Sequence, residues 1–63
     1  MIHKNVERIR AEKGVTKSHV ANCLGMSLMG YSHIEAGKVR LDVERLKSIS
    51  KILNTDVCIF FDN

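Results

Sequence analysis

The stretch Thr16-Lys-Ser-His-Val-Ala-Asn-Cys-Leu-Gly-Met-Ser-Leu-Met-Gly-Tyr-Ser-His-Ile-Glu35 decides the fold. Thr16 and Ser27 each carry a hydroxyl that can accept from the free backbone N–H groups of a first helical turn, so each reads as a helix start. After Thr16, Val20, Ala21 and Leu24 recur at helical spacing; after Ser27, Tyr31 and Ile34 do the same. Two helices of about eight residues joined by a turn of three or four cross at close to a right angle. That crossing needs a small side chain where the backbones approach, which Ala21 supplies. It also needs a turn residue tolerant of positive φ, which Gly25 supplies. Val20, Leu24, Met26, Tyr31 and Ile34 then point inward and lock the angle.

On the N-terminal side, Asn5 to Lys13 reads as a first helix, with Val6 and Ile9 on one face, Ile2 able to extend that face backwards, and Gly14 as its stop. Gly37 closes the helix begun at Ser27. Asp42 caps a fourth helix carrying Val43, Leu46, Ile49, Ile52 and Leu53, and Asn54 is a fair left-handed stop. The final run Asp56-Val-Cys-Ile-Phe-Phe61 fits a strand as well as a buried helical turn on periodicity alone. Asp56 as an N-cap, and the helical company, favour a short fifth helix. The fold class expected is all-α, a compact bundle of four to five short helices forming one domain over residues 1–63, because 63 residues cannot supply two cores.

At these residues the chain resembles the Cro and phage-repressor type of helix-turn-helix domain, the lambda-repressor-like fold of bacterial and phage transcription regulators. The resemblance rests on Ile9-Arg10-x-x-Lys13-Gly14, on Ala21-x-x-Leu24-Gly25 and Ser27, on Ser32-x-Ile34-Glu35-x-Gly37-Lys38, and on the Leu46, Ile49, Leu53 pattern. It implies that the helix about residues 28–36 enters the major groove while the preceding helix lies across the backbone. Carried over position by position, Leu28, Met29, Ser32 and His33 face the bases. Thr16, Lys17, Lys38, Arg40 and Arg10 meet phosphates, because cations and helix-start N–H groups are what phosphates bind. The resemblance also matches Arg10 and Glu35 to a partly buried salt bridge between the first and third helices. The family commonly has Gln, Arg or Ser where this chain has Leu28 and Met29, and Ser or Thr where it has Gly30. Apolar side chains there can meet thymine methyl groups but not make bidentate hydrogen bonds to guanine or adenine.

The expected activity is that of a sequence-specific double-stranded DNA-binding regulator, most simply a dimeric repressor on an inverted-repeat operator. The competing reading is a protein interaction module, antitoxin-like or an anti-regulator, that uses the Leu28 and Met29 face. Val57, Cys58 and Ile59 cannot all be buried in so small a domain, so they are the expected homodimer patch, with Phe60 and Phe61 completing the core. A formal charge of +3 and a pI near 9.1 suit a polyanionic partner. Cys23 and Cys58 are expected to be ordinary reduced thiols. His3 and His19 read as surface, and Arg45, Lys47 and Lys51 as the solvated face of the fourth helix.

No cluster of His, Cys, Asp or Glu has ligand spacing, no nucleophile has an evident base, and no phosphate-cradling glycine loop occurs. Neither catalysis, a metal, a cofactor nor a small-molecule ligand is therefore expected. Without a leader or a long apolar run, the expected location is the cytoplasm, on the nucleoid, of a bacterial or phage-encoded protein.

Overall fold

The computed structural model describes residues 1–61, which form four α-helices and a terminal 3₁₀ helix with no strand among them. The helices are α1 (Ile2–Glu12), α2 (Lys17–Leu24), α3 (Leu28–Glu35) and α4 (Val43–Ile52), and the 3₁₀ helix spans Val57–Phe61. The ambiguous last segment is thus helical, although tighter than an α-helix. Helix α1 begins three residues before Asn5, because Ile2 packs half-buried against the core and makes an extra turn worthwhile.

Three helix starts are capped by the side chains that the sequence puts there. Thr16 Oγ1 accepts from the His19 N–H at 3.1 Å, Ser27 Oγ from the Gly30 N–H at 3.0 Å, and Asp42 Oδ1 from the Arg45 N–H at 2.7 Å. Each such cap contributes about 1 kcal/mol. The helix ends share one device, in which an N–H just past a left-handed residue reaches back to the last turn. Val15 donates to the Arg10 carbonyl, Met26 to Ala21, Lys38 to His33 and Thr55 to Ser50, at 2.9–3.1 Å. Gly25 adopts φ 69° in the turn between α2 and α3, whereas Asn54 takes the same role after α4 at φ 51° without being glycine.

Packing follows from these short pieces. Helix α2 lies against α3 and α4, and α1 against α3 and the 3₁₀ helix. Between them sits a core of Val6, Ile9, Val20, Ala21, Tyr31, Ile34, Leu46, Ile49, Leu53 and Phe60. Leu24 and Met26 flank this core half-buried rather than filling it. The 3₁₀ helix is tied down twice: Asn5 Nδ2 donates to the Phe60 carbonyl at 2.7 Å, and Asp56 Oδ1 accepts from the Cys58 N–H at 3.0 Å. That N–H holds the exposed Asp56 carboxyl below its ordinary value.

Three expectations are corrected here. Phe60 is fully buried but Phe61 is 55% exposed, because consecutive residues of a 3₁₀ helix point about 120° apart and only one meets the α1–α4 cleft. Val43 sits in the first turn of α4, 60% exposed, off the stripe formed by Leu46, Ile49 and Leu53. Arg45 is not a solvated cation: half-buried, it donates from Nη1 to Met26 Sδ at 3.0 Å and braces the α2–α3 turn from α4.

Candidate nucleic-acid interface

Helix α3 has two faces. Tyr31, Ile34 and Glu35 are buried and hold it to the body of the protein. The helical repeat puts residues 28, 29, 32 and 33 together on the other side. There Leu28 and Met29 are 50% and 70% exposed in the first turn, and Ser32 and His33 follow one turn later, half-buried. This exposed face and the buried one diverge because the core contacts recur at three- and four-residue spacing.

Beneath α3 lies the arrangement that sets its angle. Glu35 is buried, its side chain 1% exposed, and it meets the Arg10 guanidinium of α1 through two parallel contacts, Nε to Oε2 at 2.6 Å and Nη2 to Oε1 at 3.1 Å. Arg10 Nη1 donates onward to the Val15 carbonyl at 2.6 Å, in the segment leading to α2. One side chain of α1 therefore fixes both helices of the motif. The hydrogen bond to Glu35 raises the affinity of Arg10 for its proton, so Arg10 stays charged at any working pH. Three of the five Arg10 N–H groups are engaged in these contacts and its side chain is 12% exposed, so here Arg10 bridges α1 to α3 and to the segment before α2.

Tyr31 belongs to the same arrangement. Its ring is fully buried, and its hydroxyl, near the Glu35 carboxylate, has no hydrogen-bond partner. Burial, reinforced by the negative charge of Glu35, pushes its ionisation far above the usual tyrosine range. Sequence reasoning placed Tyr31 inward but gave no sign of an unpartnered hydroxyl, since only the tertiary packing decides what that oxygen faces.

The remaining expected contacts are accessible but dispersed. Thr16 is exposed at the start of α2, its hydroxyl engaged as the cap, and Lys17 follows half-buried. As in any α-helix, the first backbone N–H groups of α2, those of Lys17 and Ser18, have no intrahelical acceptor. Lys38 and Arg40 are exposed in the segment between α3 and α4. From Lys13 to Leu41 the only acidic residue is Glu35, which is buried and paired, while Lys13, Lys17, Lys38 and Arg40 carry positive charge. The solvent-facing charge of this segment is therefore of one sign, a feature that overall composition hides because the other acids all lie before Lys13 or after Leu41.

Outside this region, His19 Nε2 and Cys23 Sγ approach to 3.7 Å on the outer face of α2, and both cysteines are exposed. His3 covers Gly37 at the end of α3. At the other end of the molecule Cys58, Ile59 and Phe61 are exposed, whereas Val57 packs against the core. Among the described residues no three His, Cys, Asp or Glu converge as metal ligands, and no helix is long and apolar enough to cross a membrane.

Comparison with known proteins agrees with this geometry. A family model described as helix-turn-helix matches residues 6–60. The chain is also similar to an uncharacterised HTH-type transcriptional regulator, YonR, derived from the SPbeta prophage of Bacillus subtilis (strain 168). The two are 32% identical over 53 residues, covering 84% of this chain and 49% of the relative, so the chain spans about half that protein's length. No solved structure matches the chain significantly.

Proposed function

Because this chain belongs to the helix-turn-helix family, we propose that it is a sequence-specific regulator of transcription that docks α3 in the major groove of duplex DNA. The observation that carries the reading is the exposed outer face of α3, framed by a segment from Lys13 to Leu41 whose one acid is internally neutralised. A surface of that sign attracts phosphates, and Lys17, Lys38, Arg40 and the start of α2 at Thr16 are the groups placed to meet them. Leu28, Met29, Ser32 and His33 then face the bases.

The protein acts as a homodimer on an inverted repeat, most simply as a repressor. The longest extent of the described residues is 27 Å, less than the roughly 34 Å between successive major-groove faces on one side of DNA, so one copy serves one half-site. Cys58, Ile59 and Phe61, exposed on the terminal 3₁₀ helix, are the patch through which two copies join. A DNA-binding regulator of this kind works in the cytoplasm of a bacterium or of a phage-infected cell.

Titration of a fluorescent random-sequence duplex at rising salt tests the reading. Three phosphate contacts predict a log–log slope of about −2.7 per protomer, and Lys38→Ala reduces its magnitude by about 0.9. Absence of binding at low salt, or a flat slope, overturns DNA binding and points instead to a protein partner on the Leu28–Met29 face.

A further inference from the structure

The composition of α3 says what kind of DNA it reads. From Met26 to Ile34 there is no Arg, Lys, Asn, Gln, Asp or Glu, and Glu35 is committed to Arg10 inside the protein. Those six residue types make the bidentate or charged hydrogen bonds that distinguish guanine, adenine and cytosine in the major groove. The hydroxyl of Ser27 is held by the Gly30 N–H, and Gly30 offers no side chain. What the first turn of α3 does present is two large, exposed, adjacent apolar side chains, Leu28 and Met29.

The apolar group that bases display in the major groove is the C5-methyl of thymine. 5-Methylcytosine displays the same group at the same ring position. We propose, building on the DNA-binding reading above, that α3 recognises its operator through C5-methyl groups, with Leu28 and Met29 as the specificity-determining residues and with thymine and 5-methylcytosine equivalent at the positions they touch. The charge of the surrounding segment favours a duplex over a protein as the occupant of this apolar face, since along the chain from Lys13 to Leu41 the cations Lys17, Lys38 and Arg40 are met by no exposed acid. Ser32 and His33, one turn along, supply the only hydrogen-bonding groups on the same face, and a hydroxyl is compatible with several bases. Recognition is then by the pattern of methyl groups along the groove.

The experiment starts from a duplex that the wild-type chain selects from a randomised pool. That duplex is resynthesised with deoxyuridine in place of thymidine, one position at a time, which removes a methyl group and nothing else. Wild-type affinity is expected to fall about fourfold per contacted methyl, the worth of burying one such group. Replacing a contacted T·A pair by 5-methylcytosine·G is expected to retain affinity relative to unmethylated C·G. Met29→Ala and Leu28→Ala, at exposed sites that the core does not use, are expected to keep the circular dichroism of a folded chain and to lose discrimination between thymine and uracil at one position each. Equal affinity for thymine and uracil duplexes at every position, with steep salt dependence intact, overturns methyl readout but leaves DNA binding standing. Failure of the pool to yield any duplex, even at low salt, overturns both.

Discussion

Replacing Arg10 by alanine should harm this protein more than replacing Arg10 and Glu35 together. In the wild type the Glu35 carboxylate is buried and held by two Arg10 contacts of 2.6 and 3.1 Å, and Arg10 also satisfies the Val15 carbonyl. Arg10→Ala leaves the Glu35 carboxylate, its side chain 1% exposed, without either of its guanidinium contacts. Breaking a buried pair in this way costs about 3–5 kcal/mol. A core of this size supplies a net stability of only about 3–5 kcal/mol, so the single variant should be largely unfolded at 25 °C. The double replacement Arg10→Met with Glu35→Leu removes both charges and fills similar volume, and should be at least as stable as the wild type.

Urea unfolding followed by far-ultraviolet circular dichroism measures the difference, since helices are the regular structure of the described residues. With a slope of about 1 kcal/mol per molar urea, a loss of 3 kcal/mol moves the midpoint by about 3 M. Glu35→Gln keeps the shape without the charge and should fall between wild type and Arg10→Ala, providing a folded baseline if the alanine variant has none. Two results would contradict this: an Arg10→Ala midpoint within 1 M of the wild type, or a double variant no more stable than Arg10→Ala. Either would mean that the carboxylate finds solvent or another partner when Arg10 leaves.

Three further outcomes follow from the geometry. Tyr31→Phe should leave stability at neutral pH unchanged or raise it by about 1 kcal/mol, because the deleted hydroxyl is buried without a hydrogen bond. The folded state raises the ionisation of Tyr31, so the stability that its neutral form contributes is complete below about pH 10 and is lost as pH climbs beyond it. Wild-type stability should therefore fall more steeply than that of Tyr31→Phe between pH 10 and 11.5, and parallel curves would contradict the burial argument. Gly25→Ala should cost about 1 kcal/mol in the same urea assay through backbone strain alone, since φ is 69° and nothing lies within 4 Å of the added carbon. A neutral result would show that the turn can relax. Ile59→Asp should halve the mass seen in sedimentation if the exposed 3₁₀ face joins two copies, and an unchanged mass would exclude that patch.

Local chemistry made most of the helices legible. Thr16, Ser27 and Asp42 act within three residues of themselves, and Gly25 or Asn54 changes the backbone wherever it stands, so starts, stops and the α2–α3 turn could be read without knowing what packs nearby. The paired apolar stripes of α2 and α3 were equally readable, because a 3.6-residue repeat is a property of one helix. The exposed chemistry of α3 was visible too: Leu28, Met29 and Gly30 stand in the first turn whatever the rest of the chain does.

Decisions between neighbours belonged to tertiary structure. Phe60 and Phe61 are adjacent, equal in composition and opposite in burial, because the cleft between α1 and α4 accepts one direction from the 3₁₀ helix. Arg45 looked like one more cation on an amphipathic helix until the turn brought Met26 within 3.0 Å of it. Arg10 and Glu35 lie 25 positions apart in the chain, and only the packing of α1 against α3 brings them to 2.6 Å with Glu35 buried. In each case the deciding quantity is how much water remains once separate helices have met, and a linear pattern carries no measure of that. Helix boundaries and the side chains in the first turn of α3 follow from residues within one turn of each other, whereas which charges end up buried and paired follows from how the helices pack.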